Sequence, residues 1–525
     1  MTSAPGLESG EHSAASRTAP GRQPDVEVAI VGAGLAGVGI AIALMRAGLT
    51  DFVIIDRESD FGGTWHVNRY PDVGADIPGL LYQFSFAKHP WSRVFPKGEE
   101  VKSYIDALVA EYRLRDRSRL GTEVKSRTWD EEHHLWRHDL GDAGELTSRF
   151  AVSADGMFIE PRRPDITGLD DFQGDVMLSQ QWRHDYDFTG KRVGIIGTGA
   201  SGVQIIPRLA RSGGHLTVFQ RRGAWVFPKP DLPIPRPVRW LLTRVPGLYA
   251  ALFAVLTCLV GNYFGWLATH GSRLERFLWA GHVLIRGFIR LQVRDAETRR
   301  GLLPTYPMVC KRPTISNHYY AAFDRPDVSL VTQPIERADA HGLLTVDGEH
   351  HRLDVLVLAT GFRMAASSTG RRGSPLRGAG GFELADYYER TPDAAEFQGL
   401  LLPDMPNNFI VCGRYSWAGP SHCSIVERAA IIIVRMITET KRQGATRFQV
   451  TAEAAARFSD RMIARQEGSF AHTTGCRAAK TYFLDEHGVS SVYRPTSMTQ
   501  AMHEARNLSM TDFEFGRLRT APNDR

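Results

Sequence analysis

One pattern occurs twice in this chain, and no other feature limits its fold as strongly. An apolar strand, a glycine turn, a small-residue helix and a second apolar strand run from Val26 to Glu58 (VEVAIVGAGLAGVGIAIALMRAGLTDFVIIDRE). The same order returns from Lys191 to Arg222 (KRVGIIGTGASGVQIIPRLARSGGHLTVFQRR). Each copy has the length and punctuation of a βαβ unit. Their first glycines, Gly32 and Gly197, stand 165 positions apart, which places the units in two separate domains. The fold class expected is α/β, with two Rossmann-like dinucleotide-binding domains.

The glycines say what these units hold. In the first copy Gly32, Gly34 and Gly37 form GxGxxG. The first permits the tight turn, the second lets backbone approach a pyrophosphate, and the third allows close helix–strand packing. The helix N-terminus then faces negative charge. Asp56 lies 19 residues after Gly37, at the end of the second strand, where a carboxylate can accept from a ribose hydroxyl. In the second copy Gly197, Gly199 and Gly202 repeat the fingerprint, but the second strand ends in Gln220, Arg221 and Arg222, with no acid. Paired arginines there suit a 2′-phosphate and favour NADPH over NADH.

Composition narrows the class further. The chain has 525 residues, enough for two to four domains, and a net charge of +5 with no long Lys/Arg block, which argues against nucleic-acid binding. Cys258, Cys310, Cys412, Cys423 and Cys476 include no CxxC pair, which argues against a disulfide framework or a zinc site and fits a reducing cytosol. Residues 1–24 are small, polar and aperiodic and read as a disordered tail of an intracellular protein. The pairs His133–His134 and His350–His351 read as exposed strand or turn residues, and neither GxSxG nor HExxH occurs.

After Asp56 comes GGTWHVNRYPDVGAD, Gly62 to Asp76. Its glycines and Thr64 allow backbone approach to a phosphate or ring, and Trp65 offers a flat aromatic face. Asp76 and Tyr82 sit in an apolar context, DIPGLLYQFSF. From here the chain resembles the Baeyer–Villiger monooxygenases, class B flavoprotein monooxygenases related to the flavin-containing monooxygenases, from about Val26 to about Ser497. The family pattern GGxW…YP…D is matched by Gly62, Gly63, Trp65, Tyr70, Pro71 and Asp76, with Asp72 where glycine is usual. FQGDVMLSQQW, Phe172 to Trp182, resembles the fingerprint FxGxxxHxxxW, with Leu178 at the histidine and Arg183 where proline usually follows the tryptophan. VCKRP places Lys311 and Arg312 where the family has a nicotinamide-cofactor lysine and its catalytic arginine. SADG, Ser153 to Gly156, and LATGF, Leu358 to Phe362, resemble the domain crossings, the second as the return that closes the first domain. AKTYFLDEHG carries Lys480 and Thr481 where Ser-Trp is usual.

The resemblance implies FAD in the first domain and NADPH in the second. Gly63, Thr64, Trp65, Asp76 and Tyr82 would join the first fingerprint at FAD, and Lys311 would join Arg221 and Arg222 at NADPH. It implies that NADPH reduces the flavin, and that reduced flavin takes up O2 as a C(4a)-peroxide anion. Such an anion needs a fixed cation and exclusion of water. Arg312 would be that cation, oriented and balanced by Asp76, and these are the two candidate catalytic residues. The expected reaction is oxygen insertion into an apolar ketone, giving an ester or lactone. Alternatives are N-, S- or C-oxygenation or an oxidation by the same cofactors, since Leu178 cannot hydrogen-bond, and a binding or scaffold protein that keeps the fold without catalysis.

The remaining segments complete the expected plan. Residues 25–160 begin the FAD domain, 161–350 form the NADPH domain, and 351–525 complete the FAD domain. Thr122 to Leu140 alternates like two strands with a turn, 424–443 and 452–467 read as helices, and 365–381 as a Gly/Ser/Arg-rich loop. A helical insertion over about 229–305 interrupts the NADPH domain. Within it, Val245 to Thr269 carries no charge. The run admits a buried helical pair in a lid, broken at Gly261 and Asn262, a monotopic membrane contact, or a span. A lid is favoured, because both ends must return to one body. Its aromatics Tyr249, Phe253, Tyr263, Phe264 and Trp266 would wall a channel or dip into a membrane interface. The expected location is the cytoplasm, with membrane association through 245–269 as the option.

Overall fold

The computed structural model describes residues 23–270, 275–364, 374–391, 396–419, 421–466 and 492–518, with Ser469, Cys476, Phe483 and Leu484 between the last two. Most of the expected tail, residues 1–22, and Lys480 and Thr481 therefore lie outside the described residues.

Two mainly parallel sheets organise the chain. In the first, Val26–Val31 is central, flanked in parallel by Phe52–Ile55 and Glu145–Ser153. The pair expected between Thr122 and Leu140 is the antiparallel hairpin Ser126–Asp130 with Leu135–Asp139, which extends this sheet. The second sheet runs Val328–Val331, His215–Phe219, Arg192–Ile196, Val355–Leu358 and Asp175–Leu178, all parallel. Parallel strands are covered on both faces, which is why these segments read as almost unbroken apolar runs. In the first sheet's core, helix Leu35–Arg46 packs against the long helix His422–Arg442.

The boundary expected at residue 351 shifts. Val355–Leu358 pairs with Arg192–Ile196 and Asp175–Leu178, so LATGF closes the second sheet's last strand and not the first domain's. The crossing between bodies is instead a two-stranded link, where Phe362–Met364 runs antiparallel to Phe158–Pro161. A fully buried apolar strand fits either sheet by pattern, and only its neighbours decide. The expected loop 365–381 also changes in part: 365–373 lie outside the described residues, and Leu376–Arg377 is an edge strand on the first sheet.

The helices expected at 424–443 and 452–467 are His422–Arg442 and Ala452–Gln466. His133 and His134 are buried rather than exposed, because the hairpin turn folds inward and pairs them with Asp130 and Thr446. Cys310 and Cys476 form a disulfide across 166 residues, against the reading of reduced, unpaired cysteines.

The insertion holds helices Arg236–Arg244, Leu248–His270, Glu275–Gln292 and Ala296–Leu302. The expected break at Gly261 and Asn262 is absent, since an interior glycine costs only about 1 kcal/mol. The sharp turn comes earlier, at Pro246 and Gly247 (φ 78°), where the two helices meet at 96°. No single described helix is long and apolar enough to cross a membrane. Tyr249 is buried, bonded to Gln83 and to the Leu80 carbonyl, and Arg93 pairs with Asp231 at 3.2 Å, so the insertion leaves the second body and seats on the first.

Candidate active site

The two glycine turns have the same construction. Gly32 has φ 116° and Gly197 φ 110°, and a Cβ on either would strike the carbonyl oxygen one residue past the neighbouring strand, Ala154 at 2.4 Å or Ala359 at 2.3 Å. A Cβ on Gly37 or Gly202 would strike the carbonyl of Gly32 or Gly197. The second glycines leave room: a Cβ on Gly34 would meet only Gly63, and one on Gly199 nothing within 4 Å. Neither following helix, Leu35–Arg46 or Ala200–Leu209, has a side-chain cap at its N-terminal glycine. An uncapped helix start behind a bare glycine backbone fits a pyrophosphate. Asp56 accepts from the Ala33 and Glu58 amides, which fixes its carboxylate beside the first turn.

Gly62 and Gly63 bring the next segment to that turn. The Gly62 amide donates to the Ala33 carbonyl, and Gly63 (φ 51°) starts the short helix Thr64–Val67. Trp65 Nε1 donates to the Tyr82 hydroxyl at 3.1 Å, with the rings edge-on at 5.6 Å. Burial pushes the Tyr82 hydroxyl pKa well up, with Asp76 adding to the rise and Arg312 opposing it, so this tyrosine stays protonated. Asp72 adopts φ 64°, a left-handed conformation that accounts for a glycine preference at this turn, and aspartate is among the side chains that tolerate it.

Arg312 pairs directly with Asp76, 236 positions earlier in the chain. Its guanidinium also lies 5.9 Å over the ring of Trp417, which packs with Tyr493 at 5.4 Å, and Tyr493 with Phe483 at 4.7 Å. Lys311 sits over Tyr306, and its ammonium pKa is lowered by burial first, then by Arg222 and Arg221. Lys311, Arg221 and Arg222 thus form one cationic group at the end of strand His215–Phe219, near the second glycine turn. Of the expected site residues, the structure joins Arg312 to Asp76, joins Trp65 to Tyr82, and sets Lys311 beside Arg221 and Arg222.

Gln204, on the second fingerprint helix, was not signalled by the sequence. It accepts from Tyr70 at 3.2 Å and from the Gly74 amide at 3.4 Å, and donates to the Gly74 carbonyl at 3.0 Å. Burial raises the Tyr70 hydroxyl to about 12, which keeps that donor protonated. The two departures near Trp182 are absorbed locally: Leu178 joins an apolar cluster, and Arg183 pairs with Asp175 at 2.7 Å and stacks on Tyr186.

Fold and site define a flavoprotein monooxygenase that uses FAD and NADPH. Residues 29–235 match the pyridine nucleotide-disulphide oxidoreductase family model. A Baeyer-Villiger monooxygenase of Pseudomonas aeruginosa is 32% identical over 86% of this chain and 84% of its own, and one of Streptomyces coelicolor is 32% identical over 95% and 93%. A cyclohexanone monooxygenase from Rhodococcus sp. Phi1, solved with NADP+, superposes with a TM-score of 0.82 at 25% identity, covering 94% of this chain and 99% of that one. The chain belongs to the Baeyer–Villiger monooxygenase family.

Proposed function

We propose that this enzyme inserts one oxygen atom of O2 into a carbon–carbon bond beside the carbonyl of an apolar ketone, giving an ester or lactone, with Arg312 and Asp76 as its catalytic pair. The observation that carries the reading is the direct Arg312–Asp76 contact between the segment that follows the first fingerprint and the segment beside the NADPH cations. In this reading the sheet centred on Val26–Val31 carries FAD, through the first glycine turn, Asp56, Gly63, Thr64, Trp65 and Tyr82. The sheet centred on Arg192–Ile196 carries NADPH, through the second turn, Arg221, Arg222 and Lys311. Together the bound cofactors supply hydride and activated oxygen.

The chain's own residues do the rest. Arg312 keeps a permanent positive charge where negative charge develops on oxygen, because guanidinium stays protonated even when partly desolvated. Asp76 fixes the guanidinium plane and balances its charge before substrate arrives. Trp417, with Tyr493 and Phe483 behind it, offers an apolar wall beside that cation, which supports a ketone with a large hydrocarbon body. The insertion acts as a lid that excludes water, and its uncharged run 245–269 gives it a peripheral membrane contact.

Incubation with NADPH, 18O2 and a panel of apolar ketones tests the reading. The expected product is an ester or lactone carrying one 18O atom. A panel that yields only S- or N-oxides from competing amines and sulfides, with every ketone returned, contradicts it.

A further inference from the structure

We propose that the insertion docks the enzyme on an anionic lipid surface, through arginines set among exposed apolar side chains. The inference deepens the reading of the insertion as a lid with membrane contact, and it names the lipid. Among the described residues, ten of the thirteen large hydrophobic side chains that remain exposed fall between Leu232 and Leu291. Soluble surfaces scatter such residues singly, and a concentration of them marks an interaction site.

The arrangement on each helix is specific. In Arg236–Arg244, one row at i, i+4 and i+8 reads Arg236, Trp240 and Arg244, all exposed, with Trp240 at 62%. In Glu275–Gln292, Leu284 at 68% and Leu291 at 85% share the outer face with Arg290, while Ile285 and Ile289 are buried on the other. A tryptophan or leucine row flanked by arginines is the pattern of a helix lying in a membrane interface, where rings and methyls enter the acyl boundary and guanidinium groups meet phosphates.

Charge selects the partner. Residues 232–294 contain eight arginines and one acid, Glu275. Arg294 pairs with Asp324 at 2.9 Å, while among the described residues Arg236, Arg244, Arg286 and Arg290 make no ion pair with a carboxylate. Two copies of this face would set arginines against arginines, so a second copy of the chain is disfavoured. A bilayer with anionic headgroups matches both the charge and the apolar rows, and delivers apolar substrates dissolved in lipid.

The test is sedimentation of the full-length FAD-loaded protein with vesicles of phosphatidylcholine alone or mixed with phosphatidylglycerol. The expected result is binding at least about tenfold tighter to the mixed vesicles, released by high salt. Arg236→Gln and Arg244→Gln should each weaken it about fivefold, and Trp240→Ser should weaken it on both vesicle types. Flavin bleaching by NADPH, measured without vesicles, should be unchanged in all three, which shows that the variants are folded. Equal affinity for both vesicle types, no pelleting, or variants that bind like the parent would overturn the proposal. So would vesicle-free self-association abolished by the same substitutions, since that would assign the face to a second copy. Lost product formation with intact vesicle binding would count against the ketone reading alone.

Discussion

Gln204 and Gly74 are joined by two hydrogen bonds that tie the second fingerprint helix to the loop carrying Asp76, with the Gln204 amide both donating to and accepting from the Gly74 backbone. Tyr70 adds a third bond to the same amide. Under the proposed reading, in which NADPH would seat at the N-terminus of helix Ala200–Leu209, these bonds would link that helix to the loop carrying Asp76, and Asp76 pairs with Arg312.

Gln204→Ala removes all three bonds, each worth about 0.5–1.5 kcal/mol. NADPH should still bleach the flavin at close to the parental rate. Product formed per NADPH consumed should fall several-fold, with hydrogen peroxide making up the difference. Unchanged coupling would show that the bonds hold structure only.

In the proposed reading, cofactor choice would rest on the cationic group of Arg221, Arg222 and Lys311. Each charge-assisted contact to a 2′-phosphate is worth about 1.5–3 kcal/mol. NADPH should be preferred over NADH by at least about tenfold in kcat/KM. Replacing both arginines by alanine should erase most of that ratio by raising KM for NADPH and leaving NADH nearly unaffected. Equal use of both cofactors by the parent enzyme would refute these roles.

The fingerprints were legible because their requirements are local. Gly37 and Gly202, where a Cβ would strike the carbonyl five residues earlier at 1.8 and 2.2 Å, leave a fixed mark in the sequence, as does an apolar strand on either side. The Arg312–Asp76 pair came from family resemblance, since a contact across 236 positions leaves no spacing to read. Gln204 carried no signal, because a glutamine on a helix surface is ordinary until its partner loop is seen. Cys310 and Cys476 were missed for the same reason. The lid helix was misjudged at Gly261 because glycine is a weak helix breaker, while Pro246 and Gly247 formed the true corner.

The disulfide gives a stability prediction. Cys310 lies two residues before Arg312, and Cys476 brings a distant C-terminal segment to it. Non-reducing peptide mapping should recover the Cys310–Cys476 cross-link. Cys476→Ser should lower stability by about 2–4 kcal/mol, read as a drop in Tm. Recovery of both cysteines as free thiols from air-handled protein would contradict the pairing.

Acid should destabilise the first sheet through His138. The residue is fully buried, with Nε2 2.8 Å from Ser148 Oγ, and burial lowers its pKa to about 3 from 6.5. Folded protein keeps it neutral while unfolded protein binds a proton below pH 6.5. Its contribution is thus fully present above pH 6.5 and is lost as pH falls toward 3, at up to about 1.4 kcal/mol per unit. Denaturant midpoints measured from pH 7.5 to 4.5 should fall less steeply in His138→Gln than in the parent. Parallel curves would remove His138 from the account.

The most direct test of the central claim separates the two half-reactions in Arg312→Ala. Stopped-flow absorbance follows flavin bleaching by NADPH, and the same samples, exposed to O2 and ketone, are assayed for ester or lactone and for hydrogen peroxide. Arg312 is proposed to act at the oxygen step and not in cofactor binding. The expected result is FAD retention and flavin bleaching close to the parent, product lowered at least about a hundredfold, and nearly all consumed NADPH recovered as peroxide. Near-parental ester or lactone formation by the variant would contradict it.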